Sequence, residues 1–109
     1  MSESHPRTAI YVDVDDTLVR HASSTPIPVT RVIEQVRRLH AKGYALYCWS
    51  TGGADYARRI ATDLALAECF VAFLPKPTIL IDDQEMGAWL SKTFHPLSID
   101  DASVDAVLP

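Results

Sequence analysis

Asp13, Asp15 and Asp16 fall within four positions at the end of the apolar run Ala9-Ile10-Tyr11-Val12. Carboxylates this close repel one another unless a cation sits among them. A second acidic pair, Asp82-Asp83, follows the apolar run Thr78-Ile79-Leu80-Ile81. Ser50, Thr51, Gly52 and Gly53 follow a further apolar run, and Lys76 stands between Pro75 and Pro77. Acids from two strand ends suit Mg2+, a hard cation that takes oxygen ligands. A lysine and a hydroxyl suit an anion held beside that metal. The combination points to phosphoryl chemistry with an aspartate nucleophile.

Each group alone has a plainer reading. A calcium loop needs acids and a glycine over about twelve residues, and Leu18-Val19 breaks that pattern. Ser50 alone is a turn or cap residue, Gly52-Gly53 a tight strand-to-helix turn, and Thr51 a helix cap. Lys76 alone is a surface lysine. Asp82-Asp83 alone is a cap for a helix starting near Gln84. The case for a site rests on all of these groups lying at strand ends.

The elements that would bring them together follow from hydrophobic periodicity. Thr8 to Val12 reads as a strand, apolar almost throughout, as in a parallel sheet covered on both faces. Leu18 to Thr30, with Ser23, Ser24, Pro26 and Pro28, reads as a loop or short irregular hairpin. Val29, Val32, Ile33, Val36 and Leu39 recur at helical spacing, which predicts a helix from about Val29 to Lys42 that stops at Gly43. Tyr44 to Trp49 is the second strand, and about Ala54 to Ala67 the second helix, with Ala57, Ile60, Ala61 and Leu64 inward. Cys69 to Leu74 is the third strand and Thr78 to Ile81 the fourth. Gln84 to Lys92 is a short helix with Met86, Trp89 and Leu90 inward. Phe94 to Ile99 is a last strand that Pro96 confines to an edge. Residues 1 to about 7 read as a frayed tail, and the acidic end from Asp100 to Pro109 as a surface wrap or disordered segment. Strands alternating with helices make this a single α/β domain with a small, mainly parallel sheet. In such a sheet the ends carrying Asp13, Ser50, Lys76 and Asp82 share one edge.

Composition narrows the class. The chain has 109 residues, of which 48% are apolar, enough for one domain with a real core. The formal net charge is −4. Arg37-Arg38 and Arg58-Arg59 read as solvated helix faces, so charge does not indicate nucleic acid. Cys48 and Cys69 read as small core residues, and Trp49 and Trp89 as core aromatics. No apolar run approaches the ~20 residues of a membrane span. The polar start, without an apolar h-region, leads us to expect a cytoplasmic protein. His5, His21, His40 and His95 have no ligand spacing.

Asp13-Val14-Asp15-Asp16-Thr17-Leu18 after an apolar strand, Ser50 after the next, Lys76 in a Lys-Pro context and Asp82-Asp83 after a further strand resemble, in order, the four motifs of the haloacid dehalogenase superfamily of phosphohydrolases. The resemblance implies a Rossmannoid three-layer fold. It implies that Asp13 attacks phosphorus and forms an aspartyl-phosphate, and that Asp15 serves as general acid and then general base. It implies a Mg2+ held by Asp13, the Asp15 carbonyl, Asp82 and Asp83, the last directly or through water. It assigns phosphoryl contacts to Ser50, Thr51 and Lys76, and turn geometry to Thr17. Members that displace halide lack an acid at the position of Asp15, so its presence implies phosphate transfer. Members that pump ions carry a Lys-Thr-Gly-Thr run that is absent here.

The gaps from Leu18 to Val29 and from Ser50 to Lys76 are too short for the cap domain of many relatives, which implies an open site. An open site suits a bulky phosphorylated substrate, such as a phosphoprotein, a nucleic-acid end or a glycan phosphate, or cover by a partner subunit in an oligomer. The chain resembles small capless members linked to polysaccharide biosynthesis. In the family, the loop holding Arg20 and His21 flaps over the site, which makes substrate contact one reading of His21 and plain solvent exposure the favoured one. The expectation is a Mg2+-dependent phosphatase. The alternatives are a catalytically silent module that binds phosphate and Mg2+, and an interaction domain that docks through its acidic end.

Overall fold

A computed structural model describes residues 7–22 and 24–109. Except for Arg7, the expected frayed tail lies outside the described residues. The elements are strands β1 (Ala9–Asp13), β2 (Val19–Ala22) and β3 (Thr25–Pro28), helix α1 (Thr30–Ala41), strand β4 (Ala45–Ser50), helix α2 (Ala54–Asp63), strand β5 (Phe70–Pro75) and helix α3 (Asp101–Asp105). The chain is therefore an α/β domain. Its sheet has the order β1-β4-β5, and both neighbouring pairs are parallel. The Leu18 to Thr30 stretch forms the hairpin β2–β3, with Val19 opposite Pro28 and His21 opposite Pro26. A two-stranded ribbon tolerates these prolines because each has a side with no ladder to complete.

The helices explain which strand residues are buried. The crossovers β1–α1–β4 and β4–α2–β5 step in the same direction, and right-handed crossovers then put both helices on one face of the sheet. Val12, Leu46 and Cys48 meet Val32, Ile33, Val36, Ala57, Ile60 and Ala61 in a single core cluster. Their neighbours in the strands point the other way. Tyr11 stacks on Tyr47 with ring centroids 5.0 Å apart and meets Trp49 edge-on at 4.8 Å. Tyr11 is 46% exposed and Trp49 is only half-buried. The apolar strands thus have one face packed under helices and one aromatic face that no described helix covers. Full cover of both faces, and a core position for Trp49, were the expectations here.

α1 and α2 end in the same way. Tyr44 N–H donates to Leu39 O and Gly43 N–H to His40 O, with Gly43 at φ 88°. Leu66 N–H donates to Ala61 O and Ala65 N–H to Thr62 O, with Ala65 at φ 59°. Both are Schellman caps, in which the residue after the C-cap turns left-handed. Gly43 made the first end readable in the sequence. Alanine in the left-handed region is unusual and gives no such signal, so periodicity carries the predicted helix on to about Ala67, whereas α2 ends at Asp63. Fully buried Leu66 is the compensation, because the turn at Ala65 drives its side chain into the core. A short 3-10 turn, Ala67–Cys69, then leads into β5.

The stretch after Lys76 departs most from expectation. Thr78 to Ile81 forms no strand, Gln84 to Lys92 contains only the 3-10 turn Met86–Ala88, and Phe94 to Ile99 forms no strand. Ile81 is 97% exposed, and Trp89 and Leu90 are about half exposed. The missing fourth strand has a geometric cause. β5 ends at the carboxyl edge of the sheet, and a parallel neighbour must start at the opposite edge. That return takes a crossover of about a dozen residues, and only Lys76 and Pro77 are available.

The acidic end is a surface wrap. The Asp100 carboxylate accepts from Ser103 N–H at 2.8 Å and caps α3, and Val104 is buried in the core cluster. Arg38 on α1 reaches Asp105 at 2.8 Å and Asp101 at 3.2 Å, and buried Gln35 donates to Asp101. The Tyr44 hydroxyl donates to the Pro109 carbonyl at 3.1 Å. None of the helices in the described residues is long and apolar enough to cross a membrane.

Candidate active site at the strand ends

The turn after β1 is wound around one carbonyl. Val14 O accepts from the N–H groups of Thr17, Leu18 and Val19 at 3.2, 2.9 and 3.2 Å. Asp16 N–H donates back to Val19 O at 2.7 Å. Val14 and Leu18 are fully buried and anchor the turn from within. Asp16 closes it at φ 61°, a left-handed conformation that aspartate tolerates better than most residues. This gives Asp16 a backbone role where the sequence suggested no chemistry for it.

Parallel register aligns the strand ends. Asp13 pairs with Trp49, and Ser50 pairs with Pro75. Lys76 N–H donates to Ser50 O at 2.8 Å, which carries β5's exit across the end of β4. The Lys76 ammonium consequently lies 3.7 Å from Asp13 Oδ1 and 5.8 Å from the centre of the Trp49 ring. The Thr17 hydroxyl donates to Asp13 Oδ2 at 3.3 Å. Among the described residues, Asp13 thus meets a cation at one oxygen and a neutral hydroxyl at the other.

Ser50 is 1% exposed, and its Oγ accepts from Gly52 N–H at 2.9 Å. That bond shapes the turn into α2 and leaves the hydroxyl proton free to donate. The N-cap of α2 is Gly53, at φ 101°, with no side-chain capping bond, so Thr51 is exposed and is not the cap. Behind the sheet edge, burial first and the Asp13 charge second push the Cys48 thiol up to about 12. At that value it is an inert core residue.

Among the described residues, two side chains meet Asp15, and the sequence had paired neither with it. The Tyr56 hydroxyl donates to Asp15 Oδ1 at 2.6 Å, and His21 Nε2 lies 3.0 Å from the same oxygen. The bond to Asp15, followed by burial, pushes the Tyr56 phenol up to about 12. Tyr56 sits in the first turn of α2, three residues after Gly53, and that placement was its only sequence signal. His21 is exposed, the reading the sequence favoured over substrate contact, and its ring meets the acid from β2.

Asp82 and Asp83 are exposed, on the stretch without regular structure. Asp82 accepts from Gln84 N–H at 3.0 Å, a local turn bond. Among the described residues, no group of three or more His, Cys, Asp or Glu side chains stands together as a metal site. The structure thus gathers Asp13, Asp15, Thr17, Ser50 and Lys76, adds His21 and Tyr56, and leaves Asp82 and Asp83 apart. The chain was also compared with known proteins, and no family model, curated protein or solved structure matches it.

Proposed function

We propose that the chain is a phosphatase of the haloacid dehalogenase type, hydrolysing a phosphomonoester through an aspartyl-phosphate on Asp13. The observation that carries this reading is the Lys76 ammonium 3.7 Å from Asp13 Oδ1, with Ser50 at the adjoining strand end. A cation beside a carboxylate draws in a phosphoryl group and offsets the charge that opposes attack by an anion. Asp13 then attacks phosphorus, and Asp15 protonates the leaving oxygen. Water, giving up a proton to Asp15, then cleaves the acyl-phosphate; inorganic phosphate leaves, Asp13 returns as a carboxylate and Asp15 as the protonated acid. Ser50 and Lys76 contact the phosphoryl oxygens, and Thr51 at the exposed turn is a further donor to them.

Mg2+ is the cofactor of this reading, and when bound it would screen the carboxylate from the phosphate charge. Asp13 and Asp15 fit one side of its oxygen shell. Asp82 and Asp83 do not stand with them, so no step is assigned through the metal. The absence of a cap leaves the strand ends open to a bulky phosphorylated substrate.

Release of phosphate from p-nitrophenyl phosphate in the presence of Mg2+, compared with Asp13→Asn, tests the proposal. Turnover by the native chain and its loss in the variant are expected. An active variant overturns the nucleophile assignment. The exposed position of Asp82 and Asp83 favours one second reading, a phosphate-binding module without turnover. Binding of a phosphate analogue with no activity on a broad phosphoester panel would identify it.

A further inference from the structure

We propose that Tyr56 and His21 form a clamp on one oxygen of Asp15, which confines proton exchange with the leaving group to the other. The proposal rests on the phosphatase reading above. Both contacts fall on the same atom, Oδ1, at 2.6 Å from Tyr56 and 3.0 Å from His21. A carboxylate oxygen has two lone pairs, and two donors fill them. A proton arriving at Asp15 then has its free site on Oδ2. The donors also fix the carboxylate's rotation, since they come from separate elements, α2 and β2. Proton transfer depends on such placement, because the acid must lie within hydrogen-bond reach of the oxygen that it serves.

The surroundings are built to hold Tyr56 in this position. A Cβ at Gly52 would lie 2.9 Å from the Tyr56 ring and 3.3 Å from Ser50 Oγ, so only glycine leaves room for the ring. The Arg59 guanidinium covers the ring at 5.3 Å. A tyrosine phenol ordinarily titrates near ~10, so Tyr56 is a donor across the neutral range. His21 donates from Nε2 in one neutral tautomer and when charged. Its position on the β2–β3 hairpin links the acid to the element beside the open site. Both are positioning residues, since they act on substrate through Asp15.

Tyr56→Phe keeps the ring and removes only the donor. The test compares kcat/KM on phenyl phosphate with that on p-nitrophenyl phosphate, two substrates of similar shape. Nitrophenolate leaves readily without a proton, whereas phenolate relies on the acid. Tyr56→Phe is expected to lower kcat/KM on phenyl phosphate by ~10-fold more than on p-nitrophenyl phosphate, within the ~10²–10⁴-fold span of acid catalysis. His21→Ala should repeat the pattern, and His21→Gln, which restores a donor, should rescue part of it. An equal loss on both substrates, or none, overturns the clamp while Asp15→Asn remains inactive. An active Asp15→Asn overturns the acid assignment and the clamp's function with it. A double-mutant cycle in Tm between Tyr56→Phe and Asp15→Asn reads the contact without any turnover. Coupling is expected, and its absence overturns the clamp whatever the activity.

Discussion

The strand ends up to Lys76 and the stretch from Pro77 to Ile99 are both rich in apolar residues and acids, yet only the first is built into a site. In the first, helical crossovers return the chain to the start of the sheet each time, so Asp13, Ser50 and Lys76 arrive at one edge in register. In the second, no crossover follows Lys76. Ile79, Ile81 and Leu97 stay exposed, and Asp82 and Asp83 stay in the open. Strand-forming composition therefore does not make a strand unless the chain has the length to reach a partner.

The largest expected effect separates the two acidic pairs. If the chain is the proposed phosphatase with Asp13 as nucleophile, Asp13→Asn should lower kcat by ~10³-fold or more. Joint replacement Asp82→Asn/Asp83→Asn should have a much smaller effect, under ~10-fold. A loss as deep as that of Asp13→Asn would break the comparison by showing that the exposed stretch closes onto β1 in the working protein.

Stability should divide along the same line. Leu46→Ala empties a fully buried site between sheet and helices and should cost about 3 kcal/mol in denaturant unfolding. Ile81→Ala, at a 97% exposed position, should stay within about 0.5 kcal/mol. A large loss at Ile81 would mean that something covers it.

The two Schellman caps offer a finer contrast within the built half. Gly43→Ala should destabilise by about 1 kcal/mol, the cost of putting a Cβ into a left-handed cap. Ala65→Gly relieves that cost but loosens the unfolded chain, so it should stabilise by about 0.5 kcal/mol. Paired thermal melts would show the opposite signs.

The smallest effects are read through pH. Tyr56 titrates near 12 in the fold against an ordinary ~10. Its hydrogen bond therefore contributes fully below about pH 10 and is lost between 10 and 12. Alkaline absorbance titration should show Tyr56 titrating late and moving down in Asp15→Asn. At the other end, the Arg38 contacts hold the Asp105 carboxyl below its usual range. That pairing contributes above ~pH 4 and fades as acid protonates Asp105. Asp105→Asn should flatten the acid limb of the stability profile slightly.

Much of the built half was legible in the sequence. Helix α1 lies within one residue at each end of the span given by its periodicity and by Gly43. Asp13, Asp15, Ser50 and Lys76 could each be placed after an apolar run, and β1, β4 and β5 bear that out. Tyr56 was not legible, because one aromatic in a helical turn looks like core until its hydroxyl is seen to meet a carboxylate. Ala65 concealed the end of α2, because its left-handed turn has no glycine to announce it.

By itself, the sequence determined the alternation of strand and helix and the residue types at each strand end, since apolar period and turn residues are local properties of the chain. Tertiary structure alone decided which of those ends meet. Parallel register aligned Asp13, Ser50 and Lys76, the hairpin and α2 carried His21 and Tyr56 to one oxygen of Asp15, and a connection of two residues left Asp82 and Asp83 outside. Those outcomes depend on distances between segments remote in the chain, and such distances are set by crossover length and packing rather than by the residues at the site.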